Sequence, residues 1–233
     1  MSHILDNPVW NALSETHRHL CIEIGNFRLY HPTYCPFGAL QKRTVKTDAL
    51  PSYDTDNFFI VGKKPGHIPS ALRLKHELIC EQMVIEHPIE TTIKEEIIPL
   101  NGRFEKELSA LINLVQPGYF KDRTHELGDY FGVFHDGKLV AVAGERMKTQ
   151  TYTEVSAVVT HPLYIGRGYA SQVVSVVVNK IFSENKIPFL HVSTDNNGAI
   201  SLYKKLGFTS RRPISFWHYV KQQEGTYPGN RLP

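Results

Sequence analysis

The feature that most constrains the fold is a pair of closely spaced glycines between two apolar segments, the first with the composition of a β-strand and the second with the residue spacing of an α-helix. Residues 155–160 are apolar and rich in β-branched side chains, and the His-Pro pair that follows ends the run, because proline cannot donate to a β-ladder. Gly166 and Gly168 come next. Valine and isoleucine then recur at helical spacing over residues 173–181. This order predicts a buried strand, a glycine loop and a helix that docks on a sheet.

A glycine loop at the start of a helix suits an anion. Glycines let a ligand approach the backbone closely, and the first N–H groups of a helix carry partial positive charge, so a phosphate is favoured there. Residues 189–193 predict a second strand after the helix, and this strand–helix–strand order implies a right-handed parallel crossover. The alternative is that Gly166 and Gly168 only make a tight turn, which is the commonest use of glycine.

The stretch over residues 154–208 resembles the GNAT superfamily of N-acetyltransferases, which use acetyl-coenzyme A. The signature loop of that family has Arg or Gln, two residues, Gly, one residue, and Gly or Ala. The matching positions are Ile165, Gly168 and Ala170, so both small residues are kept and Ile165 replaces the leading polar residue. The resemblance covers roughly the C-terminal 130 residues, a length usual for one domain.

The resemblance implies a binding site for acetyl-coenzyme A that is made largely of main-chain groups. The implied contacts are Val158, Val159, Thr160, Ile165, Gly166, Arg167, Gly168, Tyr169, Ala170 and Asn196. Asn196 matches a residue that often contacts the pantetheine arm, but Asn is also among the best helix N-cap residues, and both roles stay open. The departure at Ile165 leaves a second function open, a non-catalytic acyl-CoA-binding regulatory module.

Two catalytic side chains also follow from the resemblance. Tyr203 matches the tyrosine that protonates the departing coenzyme A thiolate, a step for which a phenol is a suitable acid; the alternative is that Tyr203 only fills space. Glu154 lies fourteen residues before Gly168, the spacing of the glutamate general base in histone-type members. A solvated carboxylate at a strand end is the alternative for Glu154. Glu145 and water are rival bases.

The predicted fold class is α/β, a mixed, mostly antiparallel twisted sheet with flanking helices of the GNAT acyl-CoA N-acyltransferase type, preceded by a smaller α+β half-domain. The predicted helices cover residues 8–13, 104–115, 170–182 and 199–206, and the predicted strands cover 20–24, 27–31, 57–61, 77–85, 97–100, 130–134, 138–147, 155–160 and 189–193. Residues 100–233 form the predicted catalytic domain. For residues 1–99, the resemblance to the glycine N-acyltransferase branch implies a degenerate GNAT-like half-domain.

Composition excludes several other classes of function. The net charge of +3 comes from scattered basic residues, which argues against nucleic acid as a partner. Cys21, Cys35 and Cys80 are far apart and in no CxxC pair, so we predict neither disulfides nor a metal site. No apolar run approaches the ~18 residues of a membrane span and no signal peptide is recognisable, which predicts a cytoplasmic protein without a membrane partner. The acceptor, a small-molecule or protein amine, and a homodimer are left open.

Overall fold

The structure is a computed structural model that describes residues 3–41 and 57–222. Four α-helices lie in this part of the chain: α1 (Pro8–Ser14), α2 (Glu105–Val115), α3 (Tyr169–Ser183) and α4 (Asn197–Lys205). The strands are β1 (Cys21–Ile24), β2 (Phe27–Tyr30), β3 (Phe37–Leu40), β4 (Asn57–Val61), β5 (Leu72–Val84), β6 (Ile97–Pro99), β7 (Tyr130–His135), β8 (Lys138–Lys148), β9 (Tyr152–Thr160), β10 (Ile187–Ser193) and β11 (Thr209–Lys221).

All the strands of the described chain join one sheet of eleven, in the order β1-β2-β3-β4-β11-β5-β10-β9-β8-β7-β6. Neighbouring strands are antiparallel except for the pairs β3–β4 and β9–β10. The three antiparallel strands β7, β8 and β9 precede the parallel crossover from β9 through α3 to β10. The predicted fold class, a mixed and mostly antiparallel sheet with flanking helices, is confirmed.

Strand β5 joins the two ends of the chain. It pairs antiparallel with β10 on one side and with β11 on the other, so a strand from the first hundred residues lies in the interior of the sheet. The sequence analysis did not predict β3 or β11. The division of the chain at residues 99 and 100 stays a prediction, and the sheet runs continuously across it.

Helices α2 and α3 cover opposite faces of the sheet. Ala141 and Ala143 on β8 pack in the cluster that contains Val173, Val177 and Ile181 of α3. Val142, which lies between them, packs with Leu108, Leu111 and Ile112 of α2. Because successive side chains of a strand point to opposite faces, the two helices must lie on different sides. Below, one side is called the α3 face and the other the face opposite α3.

Candidate active site between strands β9 and β10

The parallel strands β9 and β10 lie in the interior of the sheet and diverge. β9 and β10 pair at only three positions, Tyr152 with Ile187, Thr153 with Pro188, and Glu154 with Phe189. β9 continues to Thr160 and β10 to Ser193 without any further pair between them in the described chain. A gap therefore opens beyond Glu154, at the carboxyl ends of the two strands. In α/β sheets, this is the end at which ligands bind.

Strand β9, which borders this gap, contains a β-bulge in its pairing with β8. In the pairing with β8, Val142 is opposite Val159 but Gly144 is opposite Ser156, so β9 has one extra residue between these pairs. Ala157 lies within it at φ +52°, in the left-handed region that is costly for a residue with a side chain. A bulge of this kind turns the backbone and interrupts regular pairing.

The predicted cofactor contacts Val158, Val159 and Thr160 lie on β9 along the gap. Val159 is 3% exposed and packs in the α2 cluster, whereas Val158 packs against the cluster of the α3 face. The two side chains thus pack on opposite faces of the sheet. A ligand in the gap would meet their main-chain groups, and the assignment of these residues as cofactor contacts stays a prediction.

The glycine loop leads from β9 to α3 and leaves its backbone accessible. Gly166 and Gly168 have φ of +84° and +78°, conformations that side-chain-bearing residues rarely adopt. A Cβ atom at Gly166 would meet no atom within 4 Å, and one at Gly168 would meet only Ser171 Oγ, at 3.9 Å. Gly168 is the N-cap of α3 and the helix has no side-chain cap. The first N–H groups of α3 are therefore open to an anion.

The remaining predicted residues of the loop differ in their surroundings. Ile165 is 70% exposed, and the Arg167 guanidinium lies 4.8 Å from the centre of the Tyr164 ring. Tyr169 is buried and packs in the cluster of the α3 face, so its side chain anchors the start of α3. Ala170 follows it in the first turn. Residues 165–168 thus form a loop and Tyr169 and Ala170 begin α3, which is the order of glycine loop and helix that the sequence analysis predicted.

Asn196 caps helix α4. Its Oδ1 accepts a hydrogen bond of 3.1 Å from the backbone N–H of Ala199, which is the N-cap role expected from the sequence. The contact of Asn196 with a pantetheine arm stays a prediction.

Glu154 is fully buried on the face opposite α3, since its neighbour Val155 packs with α3. Arg146 donates two hydrogen bonds to its carboxylate, from Nε to Oε2 at 2.8 Å and from Nη2 to Oε1 at 2.7 Å. His191 Nδ1 lies 2.7 Å from Oε1. Burial alone would raise the pKa of Glu154, but the Arg146 charge and the hydrogen bonds from Arg146 and His191 lower this pKa to about 2.

The orientation of His191 follows from its neighbours. Arg211 Nη1 donates to Gln82 Oε1 at 2.7 Å, and Gln82 Nε2 donates to the Leu5 carbonyl at 2.8 Å, which fixes the direction of the Gln82 amide. The Gln82 Nε2 atom also lies 3.1 Å from His191 Nε2. That ring nitrogen must therefore accept, and Nδ1–H donates to Glu154.

These contacts argue against Glu154 as the general base. A carboxylate with a pKa of about 2 and three hydrogen bonds from Arg146 and His191 has little tendency to take a proton at neutral pH. The assignment of Glu154 stays a prediction that the geometry disfavours. The sequence analysis did not identify Arg146, His191 or Gln82. The available signal was an arginine in the otherwise largely apolar segment of residues 139–147.

The rival base Glu145 is also buried, and it is engaged on the α3 face. Its carboxylate accepts from Lys148 Nζ at 2.5 Å and from Lys180 Nζ at 2.9 Å. Lys180 also pairs with Asp129 at 2.5 Å and with Glu184 at 2.6 Å. The three carboxylates lie close enough together to hold a metal ion, but the Lys180 ammonium already supplies the positive charge. This cluster connects α3 to β8.

Tyr203 lies on α4 and is 7% exposed. Its ring packs edge-on against Phe208 at 5.8 Å between centres, within the cluster of the α3 face. Burial raises the pKa of the phenol well above its usual value. Among the described residues, its hydroxyl has no hydrogen-bond partner. Tyr203 therefore carries its proton at neutral pH and does not share it with another described residue.

Comparison with known proteins supports an acetyltransferase fold. The model of the family described as FR47-like protein matches residues 130–217. A protein from Novosphingobium aromaticivorans DSM 12444, assigned to the GNAT family of acetyltransferases, is 33% identical over 95% of this chain and 100% of its own, with a TM-score of 0.87. No curated protein matches the chain significantly.

More distant solved structures share the fold. A GCN5-related N-acetyltransferase-like protein from Streptococcus suis 89/1591 is 13% identical, with coverage of 91% of this chain and 93% of its own and a TM-score of 0.61. A tandem GNAT protein from the clavulanic acid biosynthesis pathway is 12% identical, with coverage of 87% and 80% and a TM-score of 0.56.

The fold and the gap beside the glycine loop define an acyltransferase-type architecture. The similarity to the Novosphingobium protein over its whole length shows that this chain belongs to the GNAT family. The resemblance found in the sequence is confirmed at this level. Within the described residues, no helix is long and apolar enough to cross a membrane.

Proposed function

We propose that this protein is an N-acetyltransferase that transfers the acetyl group of acetyl-coenzyme A to a primary amine by direct attack in a ternary complex. One observation carries the proposal. The gap between β9 and β10 opens beside an uncapped helix N-terminus with two glycines in the left-handed region. This arrangement offers a slot for an extended ligand and, next to it, a cradle for its phosphates.

The cradle consists of the N–H groups of Gly166, Arg167, Gly168, Tyr169 and Ala170. They would hold a pyrophosphate, because the space above both glycines is open and the α3 dipole favours negative charge. The exposed Ile165 side chain contributes no hydrogen bond. When bound, acetyl-coenzyme A supplies the thioester whose carbonyl carbon is attacked. The role of the chain is to fix that group beside the amine, which supplies much of the acceleration.

Tyr203 is the proposed acid. The attacking nitrogen forms a bond to the carbonyl carbon, the carbon–sulfur bond breaks, and the phenol gives its proton to the departing sulfur. The raised pKa of Tyr203 keeps the phenol protonated until that step. For the base we propose water, since Glu154 and Glu145 are both engaged in buried ion pairs.

Direct attack is supported by the state of the cysteines. Burial raises the pKa of Cys35 to about 12 and that of Cys80 to about 12, so neither forms an appreciable amount of thiolate at neutral pH. The pKa of Cys21 is raised as well, by burial and by Glu23. None of these thiols is suited to carry the acetyl group as a covalent intermediate.

We also propose that residues 1–99 are a degenerate half-domain of the glycine N-acyltransferase-like type. The proposal is supported by the parallel strand pair β3–β4 in this region, which corresponds to the parallel pair β9–β10 in the second half of the chain. Because β5 lies between β10 and β11, the half-domain would be inseparable from the rest. Residues 100–233 expressed alone should therefore fail to give a cooperative unfolding transition, and a stably folded fragment would contradict this proposal.

The function is tested by calorimetry with coenzyme A and by thiol release from acetyl-coenzyme A with a panel of amines. Saturable coenzyme A binding together with amine-dependent thiol release would support an acetyltransferase. Binding without release for any amine, with small molecules and lysine peptides both in the panel, would favour the non-catalytic regulatory module. Absence of coenzyme A binding would overturn both functions.

A further inference from the structure

A basic pocket lies at one end of strands β4, β5 and β11, away from the gap between β9 and β10. Its volume is about 770 Å³, and its lining includes Asn57, Arg73, Lys75, His218, Lys221 and Gln222. Three of these residues are cationic and none is acidic. The order of the sheet places β10 between this group of strands and β9, so the pocket is distinct from the glycine loop that follows β9.

His218 forms the most buried part of the lining, with 8% exposure. Neither of its ring nitrogens has a hydrogen-bond partner in the described chain. The ring stacks on Phe59 at 4.3 Å between centres and meets the edge of His76 at 4.8 Å. Buried polar groups in folded proteins are almost always paired, so two buried and unpaired nitrogens on a residue that lines a cavity indicate a partner beyond the described residues, and a ligand of the pocket is the candidate.

The protonation state of His218 determines which hydrogen bonds it can offer to that partner. Burial, followed by the nearby His76 and Lys75, lowers the pKa of His218 to about 4. At neutral pH the ring is therefore uncharged and has one N–H donor and one acceptor. The N–H can donate to a ligand oxygen.

Within residues 3–41 and 57–222, no acidic side chain pairs with the cations of the pocket. Arg73, Lys75 and Lys221 take part in none of the ion pairs of the described residues, whereas other arginines, such as Arg146 and Arg211, are paired with carboxylates. Like charges that converge on one cavity raise its positive potential and attract an anion. Arginine in particular presents a donor geometry that matches carboxylate and phosphate oxygens.

We propose that this pocket binds the carboxylate or phosphate group of a small molecule. Arg73 and Lys75 supply the charge, and His218 donates a hydrogen bond from the floor of the pocket. The inference stands on the pocket alone and does not require acetyl transfer.

The pocket also has a physical connection to the candidate active site. The His218 ring stacks on Phe59, Phe59 packs edge-on against Phe37, and the Arg146 guanidinium that holds Glu154 lies 4.6 Å from the centre of the Phe37 ring. His218 thus lies on the face opposite α3, the same face as Glu154. If the pocket serves the proposed function, its ligand is an amine that also carries an anionic group.

Calorimetric titration of the full chain with inorganic phosphate, and separately with citrate, at constant ionic strength tests the proposal. For at least one of the two probes we expect a saturable site that remains when coenzyme A occupies the cradle at α3. Binding should weaken by about tenfold or more in the double variant Arg73→Gln/Lys75→Gln, because hydrogen bonds to charged groups are the strong ones. Lys204→Gln/Lys205→Gln removes the same charge from exposed positions on α4 and should leave the affinity unchanged.

A second variant distinguishes binding in the pocket from a general effect of the positive charge of the protein. His218→Phe keeps an aromatic ring to stack on Phe59 and removes both nitrogens, so the probe should bind more weakly although the net charge at neutral pH is unchanged. Equal weakening by the α4 control, or no saturable binding of either probe, would overturn the proposal.

Coenzyme A distinguishes this site from the cradle at α3. Phosphate or citrate binding should persist at saturating coenzyme A and in Gly168→Val. Competition with coenzyme A would assign the anion to the cradle and overturn the pocket. A protein that binds a probe in the pocket but not coenzyme A would keep this inference and refute the proposed function.

Discussion

The Arg146 guanidinium holds the Glu154 carboxylate through two parallel hydrogen bonds of 2.8 and 2.7 Å, at the point where β9 and β10 part. Both side chains are largely or fully removed from solvent, with exposed fractions of 16% and 1%. His191 adds a third hydrogen bond to the same carboxylate. A buried ion pair therefore holds the position at which the two strands separate. This pair determines what Glu154 contributes to stability and to catalysis.

Replacing Glu154 by Gln should destabilise the fold. The substitution leaves the Arg146 charge buried without a partner, a loss of about 3–5 kcal/mol in the free energy of unfolding when one member of a buried pair is removed. Urea unfolding measures this loss. Glu126→Gln is the matched control, because Arg123 pairs with Glu126 by two similar hydrogen bonds of 2.6 Å on the exposed surface, where little change is expected.

The same variant tests the general base. If Glu154 takes the proton of the amine, the single-turnover rate should fall by ~10² or more in the variant that still folds. If water takes the proton of the amine, as we propose, the single-turnover rate should change less. A large drop in rate with unchanged stability would return Glu154 to the catalytic role that its spacing in the sequence suggested.

Acid should weaken the fold through Glu154. The pKa of this carboxyl is lowered from 4.5 in the unfolded chain to about 2 in the folded protein, so its contribution is fully present above pH 4.5 and is lost as the pH falls toward 2. The contribution is about 3 kcal/mol, since one pKa unit corresponds to about 1.4 kcal/mol. Urea unfolding at pH 7, 5, 4 and 3 measures it.

Comparison with Glu154→Gln isolates this effect from other acidic groups. The variant should lose less stability than the parent between pH 5 and 3, because it lacks the titrating carboxyl. Identical pH dependence of the two proteins would show that Glu154 does not have a lowered pKa.

Local pattern was sufficient to predict most of the elements. The strand, glycine loop and helix over residues 155–182 follow from periodicity and from two glycines that the structure places at φ +84° and +78°. The Asp-Gly hairpin between β7 and β8 follows from turn chemistry. These features depend on residues close together in the chain, so the sequence analysis could identify them.

What could not be predicted depends on contacts between distant residues. β5 lies between β10 and β11, so Gln82 meets His191 across a sequence separation of 109 residues. Nothing in the local pattern around Glu154 shows that Arg146 and His191 will surround it. Spacing indicated a glutamate near the reaction centre, but only the packing shows that its charge is already neutralised.

Gly168→Val should reduce the affinity for coenzyme A. A side chain at this position would occupy the open space above the loop and would be strained at φ +78°. Calorimetry with coenzyme A measures the loss, and Ile165→Ala should change the affinity little. Gly118→Val is the matched control for strain, because Gly118 has φ +96° and no atom lies within 4 Å of an added Cβ there. Unchanged affinity in a folded Gly168→Val protein would refute the cradle.

Tyr203→Phe removes the proposed acid and keeps the ring. The ring packs against Phe208 and its hydroxyl has no hydrogen-bond partner among the described residues, so the variant should fold and bind coenzyme A as the parent does. Turnover should fall by ~10² to 10⁴, because the departing thiolate loses its proton donor. A thiolate is already a tolerable leaving group, which favours the lower end of this range.

Single-turnover measurement is the decisive form of this experiment, because slow product release masks a change in the chemical step under steady-state conditions. The ring-packing control is Phe208→Leu, which alters the contact of Tyr203 without touching its hydroxyl. If both variants lose rate equally, the effect comes from the packing of α4. If Tyr203→Phe alone is slow, the phenol proton is needed. A Tyr203→Phe protein as fast as the parent would leave Tyr203 with a structural role only.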